Sequence, residues 1–498
     1  MRVTNSMLRN NSLLNMQKNK VAFNKYLSEY NTQKKIQRPS DDPTIAVRAL
    51  KYRTTLAEID QYLTNIKDAT SWMDATETCL KDINGRLTDM IDYCTQAANG
   101  TYNEDDRKDI VTQLKQFAAY IYEQNANADY AGRYLFTGFR TDEPMLFKDA
   151  QTDTTYTITE NIDINSINKF QYVYGQAVYD DASTAEDYAN DASEFATTHR
   201  VLLSYDNCDA TTLTLTYTAA DGTVTPVTVT TKSIADSRAN GEKYNEHLHP
   251  GPGEVYFVPE TGELVFGDDI YNDIRAGSDL SVVYEKTNFA KNDVRPEHYF
   301  NCETVNNDTG ETSKYTSAGN QDINYQINFS QTLTVNTEGV EAISLQVGRV
   351  IADITNMCND LDVMEANLKK VEKRIADCDE TDETTLTNLN ELKNQIETEI
   401  ALQKTVLEKA LGSAITTCQG AKDQLNVALA DHGSRYNRME MTKTKLEQQG
   451  IDTEEAKSDN EDADLGEAYI NFSEADLLYQ ATLNATSKIL GQSLLNFI

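Results

Sequence analysis

The chain lacks any long apolar run: nothing in its 498 residues approaches the roughly 18 consecutive apolar residues of a membrane-spanning helix. Positive charge at the amino terminus is not followed by a continuous apolar stretch, so no cleavable secretory signal is expected. Basic residues are scarce. Lys and Arg number 45 against 79 Asp and Glu, a net charge of −34, so a phosphate backbone would be repelled and no nucleic-acid partner is expected. Cys79, Cys94, Cys208, Cys302, Cys358, Cys378 and Cys418 contain no C-x-x-C pair, and an odd, scattered set is a poor disulfide or zinc framework. Cys94 and Cys358 fall on apolar helical positions, where buried reduced thiols are expected. There is no H-E-x-x-H, no Walker loop, no G-x-S-x-G and no locally supported cysteine–histidine pair. No catalytic, cofactor-binding or metal-binding residue is therefore assigned, and no enzyme is expected. His247 and His249 form an H-x-H with no third ligand nearby and read as a solvent loop. The acids from Asp459 to Asp464 lack the glycine and terminal glutamate of an EF-hand and read as a solvated approach to a helix.

What the chain does have is two amphipathic ends of opposite charge. Met1 to Gln37 carries Arg2, Arg9, Lys18, Lys20, Lys25, Lys34 and Lys35 against the single acid Glu29. From Asp452 onwards ten acids face only Lys457 and Lys488. Opposite charges flanking an apolar seam fix partner and orientation, so the two ends are expected to pair. Tyr469, Phe472, Tyr479, Leu483, Leu490, Leu494 and Phe497, with Leu465, share one face at three-four spacing, and Ala475, Leu478, Ala485 and Ile489 widen it. The amino-terminal segment has two stripes. Val3, Met7, Leu14 and Val21 form one; Leu13, Met16, Phe23, Leu27 and Tyr30 form the other. A helix apolar on two sides must touch neighbours on two sides, so these residues are the candidate assembly interface. The Asn-, Gln- and Ser-rich composition of this segment is expected to leave it unfolded until a partner arrives.

Arg38 to Pro43 reads as a helix start. Asp42 is the expected N-cap and Pro43 the first helical residue, where no N–H is needed. Beyond it Ile45, Tyr52, Ile59, Ile66, Met73, Leu80, Leu87 and Cys94 recur every seventh residue. Ala49, Leu56, Leu63, Ile91 and Ala98 give a companion register interrupted by Thr70, Glu77 and Asn84. A helix from Thr44 to Ala98 would be roughly 80 Å long. Ile110, Leu114, Phe117 and Ile121 mark a returning helix.

The patterning then switches to period two. Leu213, Leu215 and Tyr217 alternate with threonines, Asp221-Gly222 supplies a turn, and Pro226 argues for an edge strand. A second hairpin is expected from Glu254 to Phe266. Sevenfold spacing returns at Val347, Ile354, Leu361, Leu368 and Ile375 and, after an acidic break, from Leu389 to about Ala430. The expected fold is mainly α, with long terminal helices forming a coiled-coil or bundle rod and an inserted β-rich domain. Its expected segments are an N-terminal assembly helix (1–43), two halves of the rod (44–150 and 335–450), the β-rich insertion (151–334) and a C-terminal assembly helix (451–498).

The opening MRVTNSM, the RPSDDP at Arg38 to Pro43 and GRYLFTGFRTDEPMLF at Gly132 to Phe147 resemble the amino-terminal region of the hook–filament junction family, hook-associated protein 3, within the flagellin superfamily. GSRYNRME at Gly433 to Glu440 and YQATLNATSKILGQSLLNFI at Tyr479 to Ile498 resemble its other end. Flagellins themselves tend to carry an N-S-x-x-D-D-A-A-G segment where this chain has Pro39-Ser40-Asp41-Asp42-Pro43. The resemblance implies an extracellular, non-enzymatic subunit of the bacterial flagellum. The β-rich domain would point outward, and export would run through the flagellar type III apparatus without a cleaved signal peptide. Implied partners are hook-associated protein 1, flagellin, copies of itself in a ring and an export chaperone; no cofactor is implied. The stretch from about Leu361 to Gln403 is extra helix beyond the family's usual length. A filament-forming flagellin, or a stalk carrying a ligand-binding or enzymatic β domain, are the alternative readings.

Overall fold

A computed structural model describes residues 5–99, 104–175, 193–210, 213–234, 244–316, 319–378 and 383–495. In chain order the helices are α1 (Asn5–Thr32), α2 (Pro43–Asn99), α3 (Glu104–Ala119, prolonged by a π-helical stretch at Tyr120–Ala126), α4 (Asp268–Arg275), α5 (Gly339–Ala342), α6 (Gln346–Asp377), α7 (Glu383–Glu461) and α8 (Leu465–Leu495). Contacts divide the chain into two units. One comprises residues 1–69, 325–333 and 437–498; the other comprises 70–324 and 334–436.

The sevenfold series of α2 is the buried one: Ile59, Ile66, Met73, Leu80, Leu87 and Cys94 are all shielded from solvent. Its companion register is one residue earlier than the sequence pattern suggested. Ala69, Thr76, Ile83, Met90 and Ala97 are buried, whereas Thr70, Glu77 and Asn84 lie at the margin. A three-then-four alternation from each heptad residue follows the 3.6-residue turn as well as four-then-three does. The sequence offered the wrong choice because a small alanine and a threonine hold two of the true positions. Thr76 satisfies its hydroxyl within the helix, donating to the Trp72 carbonyl at 3.0 Å, and so can face the core. In the second unit this seam meets α3, α6 and α7 through Leu114, Ile354, Leu361, Ala414, Cys418 and Leu425. Cys94 and Cys358 are buried there as free thiols, and burial pushes Cys94 up to about 12.

The extra helical stretch forms a hairpin of α6 on α7. Val371, Leu392 and Ile396 are buried, and Lys393 reaches Glu372 at 3.0 Å. Arg107 of α3 braces it by donating to Glu365 at 2.9 Å.

The β-rich region begins after a short hairpin of β1 (Asp129–Tyr130) and β2 (Arg133–Tyr134). It contains β3 (Thr154–Ile162), β4 (Asn168–Tyr174), β5 (Glu194–Leu202), β6 (Thr214–Thr218), β7 (Val224–Val227), β8 (Val229–Thr231), β9 (Val255–Val258) and β10 (Glu263–Phe266). These are followed by β11 (Leu280–Lys286), β12 (Asn301–Asn306), β13 (Thr312–Tyr315), β14 (Asn324–Asn328) and β15 (Gln331–Thr334). One sheet has the order β4-β5-β10-β9-β8, the other β13-β12-β3-β11-β6-β7. Pro226 sits on the edge strand β7, where its missing N–H costs no ladder bond. Ile158, Leu215, Phe257, Phe266, Val282 and Tyr284 form a common core. Alternation along β3 and β11 places every second residue inward, the pattern of sheets with one face covered.

Two sequence expectations are corrected here. His247 is buried in a 3-10 turn, so it is not in solvent; His249 is exposed, stacking on Tyr174 at 4.4 Å between ring centres and bonding the Tyr172 hydroxyl at 2.7 Å. The second correction is the last helix boundary. α7 continues unbroken to Glu461, so the acids from Asp452 to Glu461 belong to it, and the terminal helix starts at Leu465. No proline or glycine pair interrupts that acidic run, and the apolar pattern alone could not show its continuity.

Candidate assembly interface

α1 and α8 lie antiparallel. Asn19 donates to Thr482 at 2.6 Å, Phe23 stacks on Tyr479 at 5.6 Å and meets Phe472 at 5.7 Å, and Tyr30 stacks on Phe472 at 5.8 Å and meets Tyr469 at 5.9 Å. The less exposed residues of α1 include Ser12, Met16, Asn19, Phe23, Tyr26 and Tyr30; those of α8 include Ala468, Phe472, Ala475, Tyr479, Thr482 and Thr486. Both strings step by four and three, the seam of a two-helix coil. The amino-terminal segment is therefore helical on its own chain, because α8 supplies the partner its composition called for.

The sequence-predicted interface residues fall into three groups. Phe23, Phe472 and Tyr479 are in this seam, and Leu27 is half-buried beside it. Met7, Leu14, Val21, Tyr469 and Leu483 are exposed on its flanks, Val21 to 66%. Leu8 and Leu13 of α1, and Leu465, Ile470, Leu477 and Leu478 of α8, are exposed with them, Leu477 to 71%. Leu490 and Leu494 fall on α8 but their side chains, like Val3 and Phe497 altogether, lie outside the described residues. Ala468, Thr482 and Thr486 escaped the sequence reading, being small or polar, and Ala475 was placed on the apolar face. Their signal was a recurrence every seventh residue in two interleaved series.

Among the described residues, the opposite charges of the two ends meet at one corner. There the chain segment between α1 and α2 crosses the turn between α7 and α8. Lys35 N–H donates to the Glu461 carbonyl at 2.8 Å and Ala463 N–H to the Gln33 carbonyl at 2.9 Å, an antiparallel bridge. Glu461, only 3% exposed, accepts from Arg53 at 2.7 Å and lies 3.6 Å from Lys34, which also pairs with Asp462. Asp464 then caps α8, accepting from Gly466 N at 2.7 Å and Glu467 N at 3.2 Å. Of the acids read as a solvated approach, Glu461 is the packed one, while Asp459 and Asp464 are exposed.

Asp42 caps α2, accepting from Thr44 N at 2.9 Å and Ile45 N at 3.2 Å, with Pro43 at the first helical position. Asp41 closes the preceding turn by accepting from Arg38 and Gln37 backbone amides, which hold its carboxyl below the usual range. Glu461→Leu is expected to loosen this corner by about 1–2 kcal/mol, since Arg53 and Lys34 are exposed enough to rehydrate. Amide exchange at Lys35 and Ala463 should then quicken about tenfold; unchanged protection would show that the backbone bridge stands without the ion pairs.

Among the described residues one trio, Glu143, Glu297 and His298, brings possible metal ligands within 4.8 Å of one another. Arg295 already stands between its carboxylates, 3.2 Å from Glu143 and 3.3 Å from Glu297, so the guanidinium supplies the positive charge there. No described helix is long and apolar enough to cross a membrane.

Sequence comparison matches residues 3–141 to the bacterial flagellin N-terminal helical region and residues 415–498 to the flagellin C-terminal helical region. Flagellar hook-associated protein 3 of Escherichia coli K12 is 25% identical over 142 residues, 28% of this chain and 45% of that protein; the Salmonella typhimurium protein of the same name matches equally. Flagellin FlaB1 of Treponema pallidum is 25% identical over 118 residues, 24% of this chain and 41% of its own length. The chain thus aligns with less than half the length of these curated relatives. Among solved structures, a putative flagellar hook-associated protein from Vibrio parahaemolyticus is 12% identical with a TM-score of 0.36, covering 85% of this chain and all of that one. The flagellar hook-associated protein-3 of Legionella pneumophila is 10% identical with a TM-score of 0.30, covering 81% and 96%. The two ends of the chain thus match the amino-terminal and carboxyl-terminal helical regions of bacterial flagellins, in that order.

Proposed function

We propose that this protein is a structural subunit of the bacterial flagellum that joins the hook, through hook-associated protein 1, to the flagellin filament. The observation that carries this reading is the α1–α8 pair, whose seam is closed within one chain while both flanks keep large apolar side chains in water. Each such side chain gains about 1.5–3 kcal/mol on full burial, and covering a row of them needs neighbours on both sides. Copies of this chain in a ring, with hook-associated protein 1 and flagellin above and below, would provide that cover. Before export a chaperone would do the same. The β-rich domain would face outward on the external surface, reached through the flagellar type III apparatus. No enzymatic step is part of this role.

The test is a deletion strain, which should secrete flagellin into the medium and carry hooks without filaments. Filaments firmly attached to those hooks would refute the junction role. The similarity to Treponema filament proteins favours a second reading, a filament-forming flagellin. Growth of the purified chain into long filaments on its own would support that instead.

A further inference from the structure

The sevenfold series of α7 carries an imidazole where the pattern calls for an apolar residue. Cys418, Leu425, His432, Met439 and Leu446 recur every seventh residue and all five are buried, His432 to 1% exposure. Within the second unit His432 reaches α2: its Nε2 lies 3.1 Å from the carbonyl oxygen of Met73, itself fully buried. A carbonyl can only accept, so Nε2 carries the proton and Nδ1 the lone pair. Nδ1 is out of water and has no partner among the described residues. The neutral ring tolerates this, because an unmatched lone pair costs far less than a charge without solvent. A second proton would leave a cation and an unmatched N–H inside the bundle.

The charged groups facing the ring do not offset that cost. Glu77, one turn beyond Met73 on α2, pairs with Lys81 at 2.8 Å, and Asp431 pairs with Arg435 at 2.9 Å, so both acids are already engaged. Arg435, one turn beyond His432 on α7, opposes a second positive charge and is fixed in place by donating to the Asn336 carbonyl at 2.6 Å. Burial is the largest influence and holds the imidazole below the ordinary histidine range. We propose that His432 is an acid-sensitive latch in the helical bundle: the neutral ring fastens α7 to α2 at Met73, and its protonation loosens that contact. A group whose value is lower in the folded chain than in the unfolded one gives stability that is present above about pH 6.5 and lost as the pH falls below it. The latch uses neither α1 nor α8 and does not rest on the junction role.

The experiment is urea unfolding of the full chain at pH 7.5 and pH 5.0, followed by the fluorescence of Trp72, the residue before Met73, for wild type, His432→Leu and His432→Gln. Every other titrating group is common to the three proteins, so the ratio of their unfolding constants isolates His432. Between the two pH values that ratio should move about tenfold against the wild type. Amide exchange from Met73 to Glu77, scaled to the intrinsic rate, should quicken at pH 5.0 in the wild type and not in His432→Leu. A ratio independent of pH, or exchange that quickens equally in both proteins, would overturn the latch. If neither variant folds, the wild type decides alone through NMR of carbon-13-labelled histidine. The ring in contact with Met73 should stay neutral in the folded protein through pH 6, and its titration near 6.5 with the fold intact would refute the proposal.

Discussion

Leu80→Asp is expected to unfold the helical part of the second unit, at a cost of several kcal/mol. Leu80 is fully buried on the α2 seam, packed in the cluster that joins α2 to α3, α6 and α7. A carboxylate there would lie in an apolar cluster, so it must either stay charged without solvation or take up a proton. The single tryptophan, Trp72, packs against the same cluster and reports the loss directly through its fluorescence in urea. Two controls sharpen the result. Leu63→Asp should cost less, because Leu63 is only half-buried, and Thr214→Asp should change stability by no more than about 0.5 kcal/mol, because Thr214 is exposed on β6. Equal midpoints for all three variants would contradict the register of the seam.

Arg200→Met should be nearly as damaging and should depend on pH. The guanidinium is the shared partner of Glu263 and Asp353, all three mostly out of water. Its removal leaves two buried carboxylates facing each other, a loss of about 3–5 kcal/mol near neutral pH. Burial already raises the Asp353 carboxyl above the ordinary range, and losing Arg200 raises it further. A carboxyl raised in the folded state binds more protons there than in the unfolded chain, so stability falls as pH rises through the window between the two values. The deficit against wild type should therefore be largest at pH 8 and shrink towards pH 5. Thermal unfolding by circular dichroism at the two pH values measures it. A deficit independent of pH would mean that lost packing on Phe170, and not charge, is what the substitution removes.

Much of this architecture was legible because it rests on short-range rules. Sevenfold recurrence showed α2 and the returning helices, Asp42-Pro43 marked the start of α2, and Asp221-Gly222 and the patterning from Glu254 to Phe266 located two hairpins. The misreadings share one cause. Where small or polar residues occupy a seam, as Ala69, Thr76, Ala468 and Thr482 do, hydrophobicity does not distinguish them from surface. Large apolar residues one step away then attract the assignment. On α8 the three-four spacing groups Tyr469 and Leu483 with Phe472 and Tyr479, whereas both lie exposed beside the seam. The corner around Glu461 was out of reach for a different reason. Its partners Lys34 and Arg53 stand some four hundred positions away, and no local pattern pairs them. The Arg200 triad was hidden likewise, since it joins β5, β10 and α6.

The flanks of the α1–α8 pair give the most direct test. In a strain whose only copy carries Val21→Asp and Leu477→Asp, the seam residues are untouched and the purified protein should keep the circular dichroism of the wild type. The account predicts that this subunit is secreted but does not assemble: electron microscopy should show hooks without attached filaments, motility should be lost, and the subunit should be recovered from the medium. Normal filaments on those cells would contradict the claim that these exposed faces are what the protein assembles with.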